Sequence, residues 1–208
     1  MGTVEIVGRS TSHFTRVATM FARELGVPYE LVVVRHLTTS EPDHYHGHPA
    51  LKLPMLRRDG SLLFGALNIC RALVELASRP RRIVWPEDAR DDRSRNAQEL
   101  VWHAMSAQVQ LVLGVEIGKL PADHPFFAKL RAGYAGALAW LDANVEAVLA
   151  SLPAERDLSL FEVTLYCMFE HLAFRPVLPR EPYPALLRFV ESYGQRASAQ
   201  QTPYVIDP

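Results

Sequence analysis

The chain has 208 residues, enough for one large domain or two small ones. A formal net charge of −1, with 49% apolar and 22% charged residues, describes a soluble protein with a real core and no strong field for nucleic acid or an anionic membrane. No apolar run approaches the roughly 18 residues of a membrane span, and no basic-then-apolar signal segment opens the chain, so the expected protein is cytoplasmic and has neither nucleic-acid nor membrane partners.

The first third alternates strand and helix. "TVEIVG" (3–8) is a β-branched run closed by glycine, and "SHFTRVATMFARELG" (12–26) places Phe14, Val17, Met20, Phe21 and Leu25 at helical spacing before a glycine stop. "YELVVV" (29–34) reads as a second strand. Residues 35–50, "RHLTTSEPDHYHGHPA", form an irregular connection with room for one helical turn. "LPMLRR", "DG" and "SLLF" predict a hairpin turning at Asp59–Gly60, followed by a helix over 66–78. Residues 79–88, with two prolines and three arginines, read as a linker. Beyond it everything is helical: about 89–118, 124–152, 159–175 and 183–199. Ser159 and Glu162 have the S-x-x-E spacing of a capping box. Cys70 and Cys167 both fall in apolar helical patterns and read as reduced, buried thiols rather than a disulfide.

A βαβ–ββα unit followed by helices resembles a cytosolic glutathione transferase, and the motifs carry that resemblance further. "HPALKLPMLRRDGSLLFGALNICRAL" is similar to the family pattern N-P-x-G-K-V-P-x-L, D-G, L-x-E-S-x-x-I. Pro49, Lys52, Leu53, Pro54, Leu56, Asp59, Gly60, Leu63 and Ile69 fit it. "LSLFEVTLYCMF" resembles a later helix-capping element of the family, with Glu162 in place of the usual Asp. The resemblance implies an α/β thioredoxin-like domain over 1–79, a linker over 80–88 and an all-helical domain over 89–208.

It also implies a chemistry: glutathione is held as a cosubstrate, its thiol is ionised, and the thiolate attacks a small apolar electrophile. No metal is required. The hydroxyl that would hold the thiolate lies in "GRSTSHFTRV", where one alignment selects Ser12 and another Thr11. From the residues alone, a Ser or Thr before a helix serves equally as an N-cap. Lys52, Leu53 and Pro54 fall where the family binds glutathione, the proline being cis there and orienting the preceding backbone toward the cysteinyl part. Gly65–Ala66 stand where the family has Glu-Ser gripping the γ-glutamyl end. Losing two hydrogen bonds to charged groups amounts to roughly 3–5 kcal/mol, so weak glutathione binding is expected here. Trp102, His103, Ser106 and Gln110 are candidate walls of the electrophile pocket. The residues themselves also read as part of a core stripe of Trp102, Met105, Ser106, Val109 and Leu113.

His44, His46 and His48 stand two apart and suggest a metal only weakly, with a surface loop or a cleft lining as the alternatives. The family resemblance further implies a homodimer. Two other readings stay open: a non-catalytic binding module of the same fold, favoured by Gly65–Ala66, and a glutathione-dependent isomerase suggested faintly by "GRSTS".

Overall fold

A computed structural model describes residues 4–207. The chain divides into two compact units. One comprises the chain through Arg81 together with Gln195 onward, and the other comprises Arg82–Gly194.

The first unit is built on a mixed four-stranded sheet in the order β2-β1-β3-β4. Strand β1 (Val4–Gly8) pairs parallel with β2 (Tyr29–Val33) and antiparallel with β3 (Met55–Arg58), and β3 pairs antiparallel with β4 (Ser61–Phe64). The parallel pair is joined by helix α1 (His13–Leu25), and α2 (Ala66–Glu75) follows the hairpin. This is the thioredoxin-like arrangement expected from the sequence.

Local chemistry explains each boundary. Helix α1 ends at Gly26, whose φ of 67° is the left-handed cap conformation. The hairpin turns on Asp59 and Gly60, both at positive φ, as a two-residue loop between twisted strands requires. The connection over 35–50 contains one 3-10 turn, Pro42–Tyr45. Tyr45 pins it, packing into the core formed with Val7, Val34 and Met55 while its hydroxyl donates to the Leu37 carbonyl at 2.7 Å. Helix α2 ends at Glu75, three residues before the expected limit.

In the second unit, a short strand β5 (Ile83–Val84) pairs parallel with β6 (Leu158–Ser159). No local pattern of residues marks this two-residue ladder in advance. Helix α3 (Asp92–Leu111) is capped by Asp91 and runs on into one π-helical turn, Val112–Ile117. By length and composition alone, Asp92–Ile117 could cross a bilayer. Its buried face, however, packs on α4 (Pro125–Ser151) and α5 (Leu160–Phe174). That face carries Ala97, Val101, Ala104, Met105, Gln108 and Leu111. The expected core stripe is therefore rotated: Met105 is fully buried, whereas Ser106 is exposed and Leu113 is 37% exposed.

Two further expectations are corrected. The helix foreseen over 183–199 is two helices, α6 (Pro184–Tyr193) and α7 (Ala197–Gln201), broken after Gly194. A Cβ at Gly194 would lie 2.9 Å from the Val190 carbonyl and 3.3 Å from the Tyr166 hydroxyl, so the close approach at this break requires glycine. The capping box of Ser159 and Glu162 does not form. Ser159 precedes α5, but its buried hydroxyl has no hydrogen-bond partner among the described residues. Glu162 instead forms a two-pronged pair with Arg156 at 2.7 and 2.8 Å. A guanidinium fork is a stronger partner for a carboxylate than one backbone N–H, so Arg156 wins the competition.

Candidate functional site

The β1–α1 junction is tight because Gly8 allows it: a Cβ there would lie 2.4 Å from the Thr15 hydroxyl oxygen. Thr15 in turn accepts from the Arg9 backbone N–H at 3.3 Å, and the Ser12 N–H donates to the Arg9 carbonyl at 3.1 Å. Ser12 is the N-cap of α1, in extended backbone conformation, and its Oγ accepts from the Thr15 N–H at 3.2 Å. A hydroxyl has one hydrogen and two lone pairs. Serving as a cap uses a lone pair and leaves the hydrogen available, so cap and thiolate donor are compatible roles. Ser12 and Thr11 are both half-buried, at the positive end of a 13-residue helix.

The Leu53–Pro54 peptide is cis, as the resemblance implies. Pro54 is buried, Leu53 packs on the core around Val7 and Met55, and Lys52 is exposed. Strand pairing begins only at Met55, and neither the N–H nor the C=O of Leu53 has a backbone partner among the described residues.

Gly65 is the N-cap of α2, with φ 85° and ψ 137° and no side-chain cap. Its N–H donates to the Pro54 carbonyl at 3.3 Å, which ties the start of α2 to the cis-proline loop. A Cβ on Gly65 would meet nothing within 4 Å, but the positive φ strains any L side chain. Ala66 is buried. The backbone of an anion site is present here, without polar side chains.

The histidines of the 35–50 connection diverge. The ring of His44 packs edge-on to that of His36, with centroids 5.1 Å apart, and His46 Nδ1 faces the Arg57 guanidinium at 3.0 Å. His48 is buried against Phe64, and its Nδ1 accepts from the Ala50 N–H at 3.0 Å, which places the ring hydrogen on Nε2. Burial lowers the His48 pKa, and the nearby Lys52 charge adds to that. Among the described residues no group of three or more His, Cys, Asp or Glu could hold a metal ion.

The candidate pocket residues all lie on α3. His103 pairs with Glu99 at 3.1 Å, and the Gln110 amide donates to the Ser106 carbonyl at 3.4 Å, so these side chains occupy an exposed face, with Trp102 half-buried beside it. None of them lines the groove of about 1030 Å³ within the second unit, whose walls include Trp85, Ser94, Gln98, Ser159 and Phe161.

Residues 11–76 match the family profile of the glutathione S-transferase N-terminal domain. The match covers about a third of the chain and is a likeness of that stretch to the family. Solved glutathione transferases share the fold across the whole chain. One from Pseudomonas fluorescens, crystallised with glutathione, is 23% identical with a TM-score of 0.77, covering 98% of this chain and 100% of its own. One from Methylobacillus flagellatus, also with glutathione bound, is 23% identical at a TM-score of 0.76, again covering 98% and 100%. A third, from Methylobacterium radiotolerans, in complex with glutathione sulfonate, is 20% identical at a TM-score of 0.74, covering 100% of this chain and 98% of its own. No curated protein matches by sequence. The matched stretch includes Thr11, Ser12, Leu53, Pro54, Gly65 and Ala66.

Proposed function

We propose that the chain is a glutathione transferase whose Ser12 hydroxyl, or in the alternative register that of Thr11, stabilises the glutathione thiolate for attack on a small apolar electrophile. The observation that carries this reading is the Ser12 hydroxyl at the start of α1, which accepts from the Thr15 N–H and retains its hydrogen. A free thiol titrates near about 8.5, and making it mostly thiolate at neutral pH takes about 3 kcal/mol. A hydrogen bond to a charged group contributes about 1.5–3 kcal/mol, and a helix N-terminus about 0.3–1 kcal/mol. The two together are of the required size. The thiol proton leaves to solvent, the sulfur forms a bond to the electrophilic carbon, and the displaced group departs with the electron pair. The backbone of Leu53, unpaired among the described residues, is suited to bind the extended cysteinyl segment as an added strand. Trp102, His103, Ser106 and Gln110 are the proposed walls for the electrophile, and the proposed assembly is a homodimer, testable by sedimentation velocity.

A second reading, a non-catalytic module of the same fold, is favoured by Gly65 and Ala66, which offer a γ-glutamyl group no side-chain contact. Calorimetric titration with glutathione separates the two. Binding at millimolar or better affinity with thiolate absorbance supports the transferase; a dissociation constant weaker than about 10 mM with no thiolate signal sinks it. In the transferase, Ser12→Ala lowers turnover by roughly 10- to 150-fold while changing glutathione affinity little. If Thr11→Ala does this instead, the thiolate partner is Thr11.

A further inference from the structure

We propose that Asp207 is a positioning residue for the β1–α1 loop. Its carboxylate fixes the Ser10 backbone and, through it, the placement of the Thr11 and Ser12 hydroxyls. This rests on reading that loop as the holder of the thiolate.

The C-terminal segment of the first unit follows α1 from its last turn to its first. At the far end, Arg196 grips Glu24 with two bonds of 2.8 and 2.9 Å, and the Ser198 hydroxyl donates to the same carboxylate. Midway, the Arg16 guanidinium donates to the Ala199 carbonyl at 3.1 Å and lies 4.3 Å from the centre of the Tyr204 ring. At the near end, both oxygens of Asp207 accept from the Ser10 N–H, at 3.0 and 3.3 Å, and Arg9 Nε stands 3.6 Å away.

The last contact differs from the others in what it holds. The Asp207 side chain is 5% exposed, so its oxygens meet these partners rather than open solvent. On the other side of the loop, Arg9 is fixed by Thr15 and by a bond from its Nη1 to the Arg35 carbonyl at 3.0 Å. Ser10 itself is fixed by a residue 197 positions away. The loop is therefore clamped between its own helix and the tail, two residues from Ser12. Catalytic geometry is sensitive to displacements well under 1 Å, which makes the clamp part of the site's construction.

The test compares the 208-residue protein with Asp207→Ala, and uses Arg196→Gln as a variant that loosens the tail only at its far end. Amide exchange reads the clamp without any ligand: in Asp207→Ala, which removes both acceptor oxygens, the Ser10 amide should exchange about tenfold faster or more, while Arg196→Gln leaves it unchanged. With glutathione and a chlorodinitrobenzene, Asp207→Ala should lower kcat about five- to tenfold, change KM less than about twofold, and move the thiol limb of the pH profile upward. The direction is decisive, because loss of a negative charge acting alone would move that limb downward. Unchanged Ser10 exchange, a downward limb, or faster turnover would each overturn the proposal, the last by showing that the tail competes with the ligand. Should the unaltered protein neither bind glutathione nor turn over, the transferase reading fails, and Ser10 exchange alone decides whether the clamp exists.

Discussion

Ser12 and Ser159 occupy the same nominal position, the residue before a helix, and do opposite things. Ser12 caps α1 through Thr15, whereas the Ser159 hydroxyl is buried without a partner among the described residues and Glu162 is held by Arg156. An ordinary N-cap serine replaced by alanine loses about 0.5–2 kcal/mol. Ser159→Ala removes an unsatisfied polar atom instead, so thermal unfolding should change by no more than about 0.5 kcal/mol or shift toward greater stability. Arg156→Ala, which strips the partner from a mostly buried carboxylate, should be much the more damaging of the two. Gly65 and Ala66 pose the complementary case, a helix start that carries no polar side chain. Placing polar side chains there as Gly65→Glu with Ala66→Ser should raise glutathione affinity by roughly 100- to 4000-fold, read by calorimetry. The same change should lower stability by about 1–3 kcal/mol, because glutamate must then hold φ 85°. Affinity that stays flat would mean that the start of α2 does not face the γ-glutamyl group.

The connection over 35–50 shows how much of an element a sequence can reveal. Its irregularity and single helical turn were legible from proline and the polar run. The separation of its histidines was not, because Arg57, Phe64 and Ala50, which hold His46 and His48, come from later in the chain or from folded backbone geometry. The same holds for the capping box: spacing placed Ser159 and Glu162 correctly at the start of α5, but Arg156 changed their partners. Periodic helices and the Asp59–Gly60 hairpin were legible because their causes are local. His48 also carries a pH dependence. Burial lowers its pKa in the folded state, so the unfolded chain binds the proton more readily. Its stabilising contribution is complete above the unfolded value of about 6.5 and is lost as pH falls from there through the folded value. His48→Asn keeps an acceptor for the Ala50 N–H without titrating, and should flatten denaturation midpoints over that window. An equal slope in both proteins would place the dependence elsewhere.

At the scale of the molecule, the first unit is discontinuous: its sheet and two helices come from the chain before Arg82, and its closing segment returns from Gln195 onward. The sequence offered no sign of this, since residues 183–199 have one continuous helical pattern, although the helix breaks at Gly194, where a Cβ would crowd the Val190 carbonyl. What the returning segment supplies is charge compensation. Burial raises the Glu24 pKa, but the bonds from Arg196 and Ser198 outweigh it and hold the carboxyl below its ordinary value. Arg16 is 6% exposed and takes Ala199 and Tyr204 as partners from the same segment. Deleting residues 195–208 therefore leaves a buried guanidinium and a half-buried carboxylate stripped of these contacts, and a hydrogen bond to a charged group is worth about 1.5–3 kcal/mol. The loss should fall on the first unit. All three tryptophans, Trp85, Trp102 and Trp140, lie in Arg82–Gly194, so tryptophan fluorescence follows the second unit alone. In urea, the truncated protein should lose amide protection over residues 4–81 at a clearly lower denaturant concentration than the full chain, while its tryptophan transition keeps the full-length midpoint. If the two transitions move together by the same amount, the segment stabilises the whole chain, and the tail has no special claim on the unit that carries Ser12.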